Sequence, residues 1–163
     1  TCALPISWQV SQALEYQKLS YDDDAYRFLR GYNRYTSTTL SHALSSRVST
    51  YAGIDFLDQQ TFVKSESSHR VAIRGGIQVD LPWQISFSAG SAFARRDYQA
   101  DSEIFATRRK DSEQIYNLSV WHRDLYFFGV MPKLNFSYKH VDSNIDFYDY
   151  RQRNVTLSLD KNF

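Results

Sequence analysis

Cysteine, proline, glycine and methionine are all scarce: one, three, six and one in 163 residues. A single cysteine leaves no disulfide framework and no Cys-rich metal motif. So few prolines and glycines exclude a collagen-like or low-complexity chain. A charge excess of either sign is missing too, since 19 Lys and Arg face 18 Asp and Glu for a net +1. That balance removes the basic footprint of a nucleic-acid binder, and no nucleic-acid partner is expected. No apolar run approaches the ~20 residues that a helix needs to cross a bilayer. This excludes a helical membrane protein but not a barrel, whose strands show lipid only at every second residue. What the chain has in plenty is aromatic side chains, with 12 Tyr, 11 Phe and 3 Trp, which favours strands.

The pattern from Trp8 onward is apolar–polar alternation in segments of about ten residues, the length at which a tilted strand crosses a bilayer. Val71, Ile73, Gly75, Ile77 and Val79 alternate with Arg70, Ala72, Arg74, Gly76, Gln78 and Asp80. Ile85, Phe87, Ala89, Ser91 and Phe93 continue it, as do Val48, Thr50, Ala52, Ile54 and Phe56 before them. Val130, Pro132, Leu134, Phe136 and Tyr138 form a later set, and Val155, Leu157, Leu159 and Phe163 the last. Weaker segments carry Trp8, Val10, Leu14 and Tyr16, and Tyr116, Leu118 and Val120. Between Tyr26 and Leu44 the phase is ambiguous, because Arg30 and Arg34 share a register with Tyr26, Phe28 and Tyr32. Read as one long strand, it brings the number to eight.

The expected fold is therefore all-β, an antiparallel transmembrane β-barrel of about eight strands over 8–163. The links near Leu44–Arg47, Asp80–Trp83 and His122–Phe128 read as short, and those near Asp58–Ser67, Arg95–Ser112 and Asp142–Tyr150 as long and polar. Such sorting is the outer-membrane pattern, with the short turns periplasmic. Trp8, Trp83, Trp121, Tyr126 and Phe127 would make one interfacial girdle, and Tyr98 would belong to the other. A soluble sandwich also alternates, but it rarely sorts its loops by length. Thr1–Ser7 back-translate readily to a sequencing adapter, so they are set aside as non-native and the chain is taken as truncated at its front.

Candidate chemistry is thin. His42, His69, His122 and His140 have no partner at metal spacing, Asp22–Asp24 lack the Gly and Glu of a calcium loop, and no cofactor is expected. Arg108–Lys110 sit among Asp101, Glu103 and Asp111, which suggests surface ion pairs. A barrel enzyme would need His, Asp and Ser at one level, an arrangement that sequence does not show, and no enzymatic activity is expected. More informative is the polar phase of the strands. Arg70, Arg74, Lys133 and Lys139 with Glu15, Asp55, Asp80 and Asp160 would line the interior, among small residues such as Gly53, Gly76, Ser86, Ser88, Gly90 and Ala92. Small side chains there favour a wide, wet lumen over a filled one.

Two resemblances are more specific. Val155-x-Leu157-x-Leu159-x-Lys161-x-Phe163 resembles the C-terminal signal of outer-membrane proteins that the barrel-assembly machinery reads, with Lys161 departing from it. Gly129–Leu134, Ser137–Lys139, Asp142–Ile145 and Tyr148–Tyr150 resemble the C-terminal barrel of the surface lipoprotein assembly modifier family. Leu81-Pro82-Trp83, Arg95–Tyr98 and Arg108-Arg109 fit the same barrel. That resemblance implies an outer-membrane translocation component whose partners are lipid and a lipoprotein or related cargo. It also implies a periplasmic helical-repeat domain and more than eight strands, so this chain would be the closing part of a larger barrel. The alternative is a complete small barrel with a structural, porin-like or adhesin role.

Overall fold

The computed structural model describes residues 8–125 and 130–160, with Asp24 by its backbone alone. Eight strands form one sheet: β1 (Trp8–Leu19), β2 (Gly31–Ser45), β3 (Val48–Thr61), β4 (Ser68–Asp80), β5 (Ile85–Asp101), β6 (Arg108–His122), β7 (Met131–Ser143) and β8 (Tyr150–Asp160). Each pairs antiparallel with its neighbour in sequence, and the order runs from β1 to β8 without a crossover. Among the described residues no pairing joins β8 to β1, so the sheet they form is open. No helix among the described residues is long and apolar enough to cross a membrane.

Because directly opposed residues share a face, the register sorts every side chain. One face carries Val48, Val79, Phe87, Val120, Leu134 and Leu157 in a single row, with Ile54, Ile73 and Phe93 in another. These side chains are open: Ile73 is 58% exposed and Leu134 51%. The opposite face is polar yet better covered, with Ala72 at 1% and Ser86 at 0%. A polar face more buried than an apolar one is the inner side of a curved sheet. Contacts that skip a strand agree, since Arg74 on β4 reaches Ser37 on β2, and Arg70 on β4 reaches Glu113 on β6. On a flat sheet two strands apart is about 10 Å. The alternation thus puts polar residues on the concave side and apolar residues on the convex side, inverse to a soluble core.

The structure departs from the sequence reading in four places. First, β2 begins at Gly31; Asp24–Leu29 form a 3-10 turn. Asp23 accepts from the Ala25 amide, and the Arg30 guanidinium donates to the Tyr21 carbonyl, which closes the connection before the strand starts. A residue built on Gly31 would run into the Gln60 carbonyl, which is why the strand opens on glycine.

Second, the link read as long between Arg95 and Ser112 is mostly strand, and only residues 102–107 turn. Charged residues on both faces made it look like loop, but Asp97 lies opposite Lys110 and Arg96 opposite Asp111. Third, loop lengths differ less than the sequence suggests. The fully described connections are 46–47 and 81–84 at one end, and 20–30, 62–67, 102–107 and 144–149 at the other. The second end is also distinguished by how far its strands project past the apolar rows.

Fourth, the girdles differ. Trp121 lies in register with Ser86 and Lys133, and Tyr98 with Ser68, so both are on the concave face. Tyr126 and Phe127 lie outside the described residues. The convex face instead carries Tyr16, Tyr32, Tyr116 and Tyr138 at its upper edge, paired as Tyr16–Tyr32 at 6.0 Å and Tyr116–Tyr138 at 6.3 Å between ring centres. Trp8 is on the convex face at the other end, stacked on His42 at 4.0 Å.

Candidate functional site: the polar concave face

The concave face is built in cross-strand layers. One layer near the projecting ends holds Glu15, Tyr35, Leu57, Arg70, Arg96, Asp111 and Ser143, each opposite the next. One layer down, Ser37, Asp55, Ala72, Ala94, Glu113 and Val141 follow the same path. The two alanines leave room above themselves, and long cations from adjacent layers fold into it.

Glu113 is the hub. Its side chain is 4% exposed and takes Arg70 at 3.1 Å, Arg96 at 3.3 Å and Lys139 at 3.5 Å. Three cations on one carboxylate leave the cluster positive, and each cation comes from a different strand. Arg74 makes a second node. Its Nε lies 3.1 Å from both Asp55 oxygens, and its terminal nitrogen donates to the Ser37 and Thr39 hydroxyls. Both nodes are charge-assisted and multiply bonded, the arrangement that offsets the cost of taking charges out of water.

Below them the face is small and open. Gly76 lies opposite Gly90, and Tyr51 covers both. A methyl built on Gly90 would stand 2.5 Å from the Tyr51 hydroxyl, and one on Gly76 2.6 Å from both the Tyr51 ring and the Ala89 carbonyl. The paired glycines are therefore the seat of the Tyr51 ring. Farther down come Ser88, Ser119 and Asn135, with the Ser119 hydroxyl donating to Asn135 at 2.7 Å and the Asn135 amide donating to Ser158 at 3.1 Å. At the bottom Ser86 donates to Asp80 at 2.6 Å, Asp80 meets Arg123 at 2.9 Å, and Lys133 stands over the Trp121 ring at 4.7 Å.

Of the residues singled out in the sequence, Arg70, Arg74, Lys133, Lys139, Glu15, Asp55, Asp80 and Asp160 all fall on this one face. Arg74 meets Asp55 and Lys139 meets the cluster that holds Arg70; Lys133 and Asp80 stay apart from both. Glu113 was missed, and Arg96 and Asp111 were named without being placed on the inward face; the ion pairs expected around Arg108–Lys110 form as Arg109–Asp111 and Arg108–Asp101. Carrying the phase of Tyr116 and Val120 back three residues would have placed Glu113 among the inward set. Val155, Leu157 and Leu159 are exposed on the convex face of β8, and Phe163 lies outside the described residues.

Among the described residues no group of three His, Cys, Asp or Glu is placed to hold a metal ion. His69 pairs with Asp58 at 3.0 Å on the convex face, and His122 accepts from the Asp124 amide. Arg109 pairs with Asp111 at 2.7 Å and with the Tyr148 ring at 3.7 Å, so the Arg108–Lys110 run ties strand ends together. The concave face offers many weak donors and acceptors and two fixed charge clusters.

The model of the family described as "Surface lipoprotein assembly modifier" matches residues 3–163. A protein named surface lipoprotein assembly modifier 1 from Haemophilus influenzae is 31% identical over 96% of this chain and 32% of its own length. A surface lipoprotein assembly modifier from Pasteurella multocida is 28% identical over 96% of this chain and 33% of its own. A hemophilin secretion modulator from Acinetobacter baumannii is 27% identical, covering 94% and 30%. The chain thus spans about a third of the length of the curated relatives it matches. No solved structure matches.

Proposed function

The chain belongs to the surface lipoprotein assembly modifier family, and from that membership we propose that it is the closing arc of an outer-membrane barrel that passes lipoproteins or related secreted cargo to the cell surface. The observation that carries this reading is the inverted sheet: an exposed apolar convex face and a polar, charge-clustered concave one. An exposed apolar face of this extent needs a partner, and acyl chains cover it without competing for hydrogen bonds. The concave face then borders the export path, with Arg70, Arg74, Lys133, Lys139, Asp55 and Asp80 lining it. Relatives three times as long and named for lipoprotein assembly or hemophilin secretion support a larger export machine of which this chain is one portion.

The barrel-assembly machinery is the partner that would insert it. Val155, Leu157 and Leu159 present an in-phase apolar edge on the last strand, and Phe163 continues the phase.

The test is surface display of a candidate lipoprotein, measured by protease shaving of intact cells. The intact reading frame should place cargo outside, and residues 8–163 behind a signal peptide should not. Equal display from residues 8–163 would overturn the fragment reading and favour a complete small barrel.

A further inference from the structure

The convex face changes character at the end where the strands project. The two tyrosine pairs mark the change, and each has an arginine on it: Arg34 lies 4.6 Å from the Tyr32 ring and Arg153 5.9 Å from the Tyr138 ring. Cations continue around the same edge. Lys18 stands opposite Tyr32, Lys110 opposite Asp97, and Arg151 opposite His140.

The acids of this edge are occupied or few. Asp58 is held by His69 at 3.0 Å and Asp97 by Arg95 at 3.3 Å, which leaves Asp142, opposite Ser112, as the exposed carboxylate. Among the described residues Lys18, Arg34, Lys110, Arg151 and Arg153 are in no ion pair. All five are exposed. On the strands of this edge five cations stand outside any ion pair, against the carboxylates of Asp142 and Asp58, a positive surplus complementary to a polyanion lying along it.

We propose that this edge binds the phosphates of the phosphorylated glycolipid, lipopolysaccharide, that fills the outer leaflet around the barrel. The inference rests on the membrane reading above and deepens it by naming the lipid. Tyrosines mark the depth at which acyl chains end; Arg34 is level with Tyr16 and Arg153 with Tyr138, while Lys18 and Arg151 stand two residues beyond those levels and Lys110 farther out, so the cations span ring depth to headgroup level. The free cations fall in two clusters at opposite ends of the arc, Lys18 with Arg34 on β1 and β2, and Lys110 with Arg151 and Arg153 on β6 and β8. Between them lie Asp58, held by His69, and the Arg95–Asp97 ion pair. The side chains are long and unconstrained on their solvent side, so each guanidinium can give two parallel hydrogen bonds to one phosphate. The edge belongs to the end where the strands project, which in this topology is the outward end, where the leaflet is glycolipid and not phospholipid.

The experiment uses the protein from the intact reading frame, purified in detergent, beside the triple variant R34Q/R151Q/R153Q. Thermal stabilisation is titrated with diphosphoryl lipid A, with its dephosphorylated form and with phosphatidylglycerol. Wild type should bind diphosphoryl lipid A best, and the variant should bind it more weakly by roughly fivefold per charge removed. The paired Arg95→Gln should leave the affinity within about twofold, the effect expected of a neutralised surface charge. Equal affinity of wild type and triple variant, or equal affinity for the dephosphorylated lipid or for phosphatidylglycerol, would overturn the proposal. Fractionation separates the levels. Wild type outside the outer-membrane fraction fails both readings, whereas wild type in that fraction with no lipid discrimination fails this one alone.

Discussion

Glu113 is the residue on which the concave face turns, because three cations from three strands converge on one carboxylate that is nearly out of water. Glu113→Gln keeps the shape and removes the counter-charge, so Arg70, Arg96 and Lys139 are left to repel one another. Breaking a buried ion pair of this kind costs about 3–5 kcal/mol. Since solvent reaches the cation side of this cluster, we expect the lower end, read as a fall in the urea midpoint of the variant refolded in detergent micelles. An unchanged midpoint would show that the cations find water instead. The paired glycines were legible as small inward residues, but their reason was not. Alternation says which face Gly76 and Gly90 occupy; only the position of the Tyr51 ring explains why nothing larger fits.

At the level of the strand and turn, the connection 81–84 stores strain. Trp83 and Gln84 both take left-handed backbone, at φ 59° and 60°, a conformation that costs side-chain-bearing residues roughly 1–2 kcal/mol. Leu81 nonetheless donates to the Ile85 carbonyl at 2.8 Å, so the hairpin closes tightly. Gln84→Gly should raise stability by about 1 kcal/mol, since glycine takes that backbone without a Cβ clash. The same denaturation measurement checks it, and a drop in midpoint would mean the Gln84 side chain holds the turn. Strand existence was readable from the alternation because the apolar convex face and the polar concave face impose opposite chemistries on successive residues. Strand ends were not readable. Where β5 and β6 run past the apolar rows both faces meet water, alternation disappears, and cross-strand charges such as Asp97 and Lys110 take over. The same loss of contrast hid the start of β2, where Tyr26 and Phe28 kept an apolar rhythm inside a 3-10 turn.

For the whole molecule, the decisive property is which face is wet. Spin labels at Ile73, Phe93 and Leu134 in the membrane-inserted protein should be quenched by a lipid-phase relaxant such as oxygen, and labels at Arg74 and Lys133 by a water-soluble one. Reversed accessibility would place the apolar rows in a protein core and end the membrane reading. The open edges matter at this scale also. Along β1 and β8 the outward-pointing N–H and C=O groups have no partner strand, and in hydrocarbon each such group costs several kcal/mol. Closure by further strands, by curling or by a second copy removes that cost.

The strict neighbour-to-neighbour order of the sheet also bears on how its size can change over generations. No strand is threaded between two that are distant in sequence, so a duplicated or deleted hairpin leaves every other pairing as it was. Girth becomes a heritable dial, turned two strands at a time. Descendants of one gene can thus differ in the width of the sheet while every remaining pairing is kept.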